Sequence, residues 1–303
     1  MSGSSSNIAH FDELFLDAGA LNWRMGTRDN GDTEYAVAKA AVTKRDMGFC
    51  RYCGFRSASE FKSPNSGIEV HFLNGDGNDF NHSNMVTCCN LCKQCFNLSY
   101  AGAEQKAILA YIPEFNQAFL NNILRSIMCI QGVIQTRRAR LIEEGDKNPD
   151  ETEEIKALSV PLVTANALFA AIKERSKAAE NILGSSKAEE LGQAIEALKK
   201  QESASAITRK GLEIQISEST KDGQIDSSKQ KALDLENNNT PLRARLDLAL
   251  SGIRLVATQP GCDPRTWVPP TGSYLTSLPR NWVQMFTRHS EAISEFLAKS
   301  DKA

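Results

Sequence analysis

Apolar residues along this chain recur mostly at helical spacing. Tyr35, Val37, Ala38, Ala41 and Val42 line one face of a short helix expected over 34–46, which Arg45 and Asp46 end. A longer helix is expected over 113–144. Its stripe of Phe115, Ala118, Phe119, Ile123, Ile127 and Ile130 is widened by Leu120, Leu124 and Ile134, a face broad enough to be buried between partners. Pro113 fits the first turn, where a missing N–H costs nothing. Further helices are expected over 161–183, stopping at Gly184, and from Ser186, which forms a capping box with Glu189, to about Lys200. Two more are expected over 241–256 and 281–297, the last with Trp282, Phe286, Ile293 and Phe296 on one face. Residues 68–73 alternate instead and predict a strand, followed by a polar loop from Asn74 to Asp79.

Composition narrows the classes. The 303 residues carry a formal net charge of −2, so wholesale electrostatic binding to nucleic acid is disfavoured. No apolar run is long enough for a membrane helix, and residues 1–6 lack the basic start of a secretory signal, so a cytoplasmic protein is expected. Residues 145–240 are rich in Lys, Glu, Ala and Ser, with Phe169 as their only aromatic. They read as a charged helical insertion whose polar stretch, 201–239, is loosely ordered.

Cysteine placement carries the chemistry. Six of the eight cysteines fall between positions 50 and 95: Cys50, Cys53, Cys88, Cys89, Cys92 and Cys95. Without a secretory signal, clustered C-x-x-C pairs point to metal rather than disulfides. A structural zinc ion takes four sulfur or nitrogen ligands, and two such pairs complete the shell. Cys50 and Cys53 are the first pair, with Gly54 suited to the tight turn after it. The second is Cys89 with Cys92, or Cys92 with Cys95 as the alternative. Cys129 and Cys262 read as packing residues, and Cys88 as a spare thiol beside the site.

The interval between the pairs, residues 68–75 followed by Asn84-Met85-Val86-Thr87, resembles the HNH (ββα-metal) endonuclease module. The resemblance favours Cys89 and Cys92, because the family's cysteine falls five residues after the asparagine. It aligns His71 with a metal-binding position, Phe72 with the general base and Lys93 with a further metal ligand. Phenylalanine cannot take a proton from water, and an ammonium repels a divalent ion. The expectation is a scaffold that keeps the zinc and has lost the catalysis, with His71 a hydrogen-bonded strand histidine and His82 a solvated loop residue.

More of the chain resembles the IcmJ (DotN) family of type IVB (Dot/Icm) secretion and related conjugation systems. The residues that carry this are Asn22-Trp23-Arg24, Val42 to Asp46, Cys50-x-x-Cys53-Gly54-Phe55, Glu69-Val70, Asn84 to Cys89, Cys92-Lys93-Gln94-Cys95-Phe96 and Tyr111-Ile112-Pro113-Glu114. The resemblance implies a non-enzymatic adaptor of the type IV coupling complex, peripheral to the inner membrane on its cytoplasmic side. Its implied partner is the C-terminal tail of the DotL-like coupling ATPase, beside other coupling-complex subunits. The fold class expected is α+β, a small HNH-like zinc-knuckle module embedded in a mainly α-helical protein. Its parts are an N-terminal segment (1–33), the zinc module (34–112), the long helix (113–144), the insertion (145–240) and a C-terminal helical region (241–303).

Two other functions have residues that point to them. A metal-dependent nuclease would need His71 and His82 to act together. A relaxosome DNA-binding module would use Arg137, Arg138 and Arg140, but Glu143, Glu144 and Asp146 follow at once and favour ion pairs on the helix surface.

Overall fold

Helix α1 (Thr33–Arg45) presents Ala38 and Val42 to a two-stranded antiparallel sheet of β1 (Ile68–Phe72) and β2 (Met85–Cys89). Residues 14–18, 33–56, 67–103, 105–221, 230–231 and 242–259 are described by a computed structural model, to which every structural statement below is confined. Alternation along β1 puts Val70 and Phe72 against α1, and Glu69 and His71 on the opposite face. Met85 of β2 completes this small core. β2 runs directly into α2 (Asn90–Cys95), which is followed by α3 (Leu98–Ala103).

A second antiparallel pair joins β3 (Ala107–Tyr111) to β4 (Ile253–Ala257) across the chain. Between them lie α4 (Gln117–Glu143), a 3-10 turn (Pro149–Glu151), α5 (Glu153–Glu174), α6 (Ser176–Leu183), α7 (Ala188–Lys221) and α8 (Leu242–Ala249). The class is therefore α+β, helices with two small sheets.

Two larger cores are built around these elements. In one, Leu120, Ile123, Ile127 and Ile134 of α4 pack against Leu168 and Ile172 of α5. In the other, Leu98 of α3, Leu109 of β3, Ile195 of α7 and Leu255 of β4 meet. The region read as an insertion is thus part of both cores, tied also by Tyr111 N donating to Arg175 O (3.2 Å) and Leu109 N to Ser186 O (2.8 Å).

Several sequence-based boundaries move for local reasons. α4 begins at Gln117, not Pro113, because Asn116 caps it, its side chain accepting from Phe119 N at 2.8 Å. It stops where Gly145 adopts φ 90°, with Asp146 N reaching back to Leu141 O at 2.9 Å. Pro161 lies inside α5, whose cap is Thr152. Gly184, at φ 78°, ends α6 as expected, and α7 runs past Lys200 to Lys221. The helix expected over 241–256 stops at Ala249. Gly252, at φ 78°, redirects the chain, and Ile253–Ala257 is a strand. The helix expected over 281–297, Trp23 and Cys262 lie outside the described residues.

Candidate metal centre

The Sγ atoms of Cys50, Cys53, Cys89 and Cys92 all lie within 4.8 Å of one another, a group that could hold a metal ion. The first pair is set by the end of α1. Met47, at φ 52°, and Gly48, whose N–H reaches Thr43 O at 2.9 Å, close the helix and turn the chain into the knuckle. Cys50 N donates to Phe55 O (2.7 Å) and Gly54 N to Cys50 O (2.9 Å), with Gly54 at φ 71°. Among the described residues no atom comes within 4 Å of a Cβ at Gly54, and its φ of 71° is what calls for glycine there. Arg51 N then donates to Thr87 O at 2.9 Å, fastening the knuckle to β2.

The second pair sits at the β2–α2 junction. Cys89 is the N-cap of α2, and its sulfur accepts from Cys92 N at 3.5 Å. Cys88 precedes it on β2 and, by strand alternation, shares the face of its neighbour Glu69 on the other side of the sheet. Cys95 lies one helical turn beyond Cys92. Its thiol donates to Leu91 O at 3.5 Å and packs in the other core, outside the group of four.

The spacing suits a tetrahedral ion. With metal–sulfur bonds of about 2.3 Å, tetrahedral thiolates stand about 3.8 Å apart. The Cys53 and Cys89 sulfurs are 3.7 Å apart. Three of the four cysteines are buried, Cys53 partly so. Burial pushes the Cys50 and Cys92 thiols up. Hydrogen bonds from the other three sulfurs, with the Arg125 charge, hold Cys53 well below the usual thiol range. Burial opposes ionisation of Cys89, yet hydrogen bonds from Cys50 and Cys92 bring it down.

α4 supplies a polar shell that sequence reasoning missed. The Arg125 guanidinium is buried, donates to Cys89 Sγ at 2.9 Å and Cys53 Sγ at 3.7 Å, and lies 4.0 Å from the Phe55 ring centroid. Asn121 Nδ2 donates to Cys92 Sγ at 3.4 Å, and Asn122 Nδ2 to Cys53 O at 3.2 Å. The available signal was three polar residues interrupting an apolar stripe.

The residues aligned with nuclease chemistry are placed otherwise. Phe72 is buried among α1 and β2 side chains. His71 stacks on Phe96 (centroids 3.9 Å apart, planes 5° off parallel), and its Nδ1 is 2.6 Å from Tyr52 Oη. Burial, aided by the Lys93 charge, lowers His71 to about 4. Lys93 is buried and ion-paired to Glu69 at 2.9 Å, with Lys39 on the same carboxylate oxygen at 3.3 Å. Burial acts to raise Glu69, but the two ammonium groups outweigh it and bring it to about 2. Asn84 holds the loop before β2, accepting from Asn74 N (2.9 Å) and donating to Asp79 O (3.0 Å). His82 lines a surface pocket with Val37, Ala38 and Phe80, on the α1 side of the sheet away from His71.

No family model matches the chain. It is 30% identical over 119 residues to the type 4 apparatus protein DotN of Legionella pneumophila subsp. pneumophila (strain Philadelphia 1), a stretch that is 39% of this chain and 52% of DotN. The chain therefore spans about half the length of that curated relative. Over that stretch it is similar to DotN, a type 4 apparatus protein.

Proposed function

We propose that this chain is a non-catalytic, zinc-stabilised adaptor of a type IVB coupling complex. It binds the C-terminal tail of the DotL-like coupling ATPase at the cytoplasmic side of the inner membrane and supports substrate recruitment. The observation that carries the reading is the four-cysteine cluster in a chain homologous to DotN. Four thiol donors with no open position are a structural rather than a catalytic zinc set, and Cys50, Cys53, Cys89 and Cys92 would hold the ion. The β1–β2–α2 order beside the cluster supports an HNH-like ancestry for residues 34–112.

The absence of catalysis is supported by what fills the aligned positions. Phe72 packs in a core, and the Lys93 ammonium occupies the side of the sheet where a catalytic cation would need to sit. Membrane association would run through the complex, since among the described residues no helix is long and apolar enough to cross a membrane. Nucleic acid is disfavoured because Arg138 and Arg140 of the basic run pair with Asp150 (2.6 Å) and Glu144 (3.5 Å).

The test is co-expression with the C-terminal tail of the coupling ATPase, followed by size-exclusion chromatography with zinc quantified in the peak. A stoichiometric complex with one zinc per chain is the expected result. A zinc-bearing chain that elutes alone, or plasmid cleavage that needs magnesium and His71, would overturn the adaptor reading.

A further inference from the structure

We propose that Arg125 is the positioning and charge-balancing residue of the metal centre, and that metal occupancy and the seating of α4 are one event. The inference rests on the metal reading above and extends it to a residue outside the ligand set.

One turn of α4 addresses three of the four cysteines. Asn121 reaches Cys92 Sγ, Asn122 reaches the Cys53 carbonyl, and Arg125 reaches Cys89 Sγ and Cys53 Sγ. Cys53 and Cys89 belong to different C-x-x-C pairs, separated by 36 positions in the chain. A single guanidinium therefore bridges the two halves of the site. Four thiolates around a divalent ion carry a net charge of about −2. Such a charge is costly to bury unless it is paired, and Arg125, itself buried, lies against it.

The residue type fits the task. A planar guanidinium can donate to two sulfurs while its face rests on an aromatic ring, here Phe55 at 4.0 Å. Phe55 belongs to the first knuckle, its carbonyl accepting from Cys50 N. Asn122 Oδ1 accepts from Arg125 Nη1 at 2.6 Å and fixes the fork. Elsewhere on α4, Ile127 and Ile134 share a core with Leu168 and Ile172 of α5. Loss of the ion would remove the charge that holds the four sulfurs together around the Arg125 guanidinium, and the polar anchor of α4 on the knuckles would weaken.

The experiment compares the full-length chain with Arg125→Met and Arg125→Lys. Metal affinity is read by competition with a chromogenic chelator, ligand geometry by Co2+ substitution spectra, and backbone protection over 117–143 by hydrogen exchange before and after chelation. Arg125→Met is expected to weaken metal binding about ten- to hundredfold, with Arg125→Lys between it and the unsubstituted chain. Chelation of the unsubstituted chain is expected to raise exchange through α4. Unchanged affinity in Arg125→Met, or a stability loss identical in metal-loaded and stripped protein, would overturn the inference while leaving the metal reading intact. Should Arg125→Met fail to fold, α4 protection that is unmoved by chelating the unsubstituted chain would overturn it equally. An unsubstituted chain that takes up neither Zn2+ nor Co2+ would end the metal reading itself and this inference with it.

Discussion

Gly192 of α7 passes so close to Ser99 of α3 that a Cβ at position 192 would stand 2.5 Å from the Ser99 backbone nitrogen. The contact is reciprocated at Gly102, where a Cβ would stand 2.1 Å from Glu189 N. The two helices therefore cross nearly backbone to backbone, and a methyl group must push them apart. Gly192→Ala gains about 1 kcal/mol of helix propensity. Overpacking against backbone costs about 1–3 kcal/mol, and two contacts below 3.0 Å at Ser99 N and Cα leave little room to yield. A net loss of about 1–2 kcal/mol is expected in chemical denaturation. A more stable Gly192→Ala would show that the helices separate readily.

Gln117 stands in for a strand. Its Nε2 donates to Leu255 O and its Oε1 accepts from Leu255 N, both at 2.8 Å. The first turn of α4 thereby satisfies the backbone of β4. Gln117→Leu keeps the volume and leaves both Leu255 backbone groups buried without these partners. A loss of about 2–4 kcal/mol is expected, with faster exchange at the Leu255 amide. Unchanged exchange there would mean that another group closes that edge.

How much of this was legible depended on whether the signal was local. The C-x-x-C pairs, the alternation over 68–73 and the Gly184 stop are short-range patterns; in the structure the four cysteines meet, the strand covers Ile68–Phe72 and α6 ends at Gly184. β3 and β4 were missed because Ala107–Tyr111 is a continuous apolar run and Ile253–Ala257 is apolar but for Arg254, patterns that period alone cannot tell from helix. Their pairing joins Ala107 to Ala257, about half the chain away, which no window could see. Of the neighbouring thiols, Cys88 shares the buried cluster of Cys50, Cys89 and Cys92 yet stands outside the group of four, a distinction hidden in the unalternating run of β2. Arg125, Asn121 and Asn122 looked like interruptions of an apolar face, since their sulfur and carbonyl partners lie 26 or more positions away.

The ligand assignment separates two neighbours cleanly. Cys92→Ser is expected to abolish stoichiometric metal, whereas Cys95→Ser is expected to keep one ion per chain. The Cys95 thiol only donates to Leu91 O and receives a long contact from Asn121 at 3.9 Å, bonds a serine can approximate. Metal content by mass spectrometry of the native proteins checks both. Metal lost from Cys95→Ser and kept in Cys92→Ser would move the fourth ligand to Cys95.

His71 makes stability depend on pH in a defined window. It is held neutral, lowered from 6.5 to about 4 by burial and then by the Lys93 charge. Burial also keeps the Tyr52 hydroxyl protonated, 2.6 Å from Nδ1 of the neutral ring. Above pH 6.5 neither the folded nor the unfolded chain binds a proton at this site. Between 6.5 and about 4 the unfolded chain does and the folded one does not, so stability falls as pH falls. The loss is bounded at about 3 kcal/mol, less to the extent that water reaches the ring. His71→Phe keeps the stack on Phe96 and removes the titration. Its stability, measured beside the unsubstituted chain from pH 7 to pH 5 with metal content followed in both, is expected to decline less steeply. Proton-driven metal release is common to the two and cancels in the difference. Parallel declines would place the titrating group elsewhere.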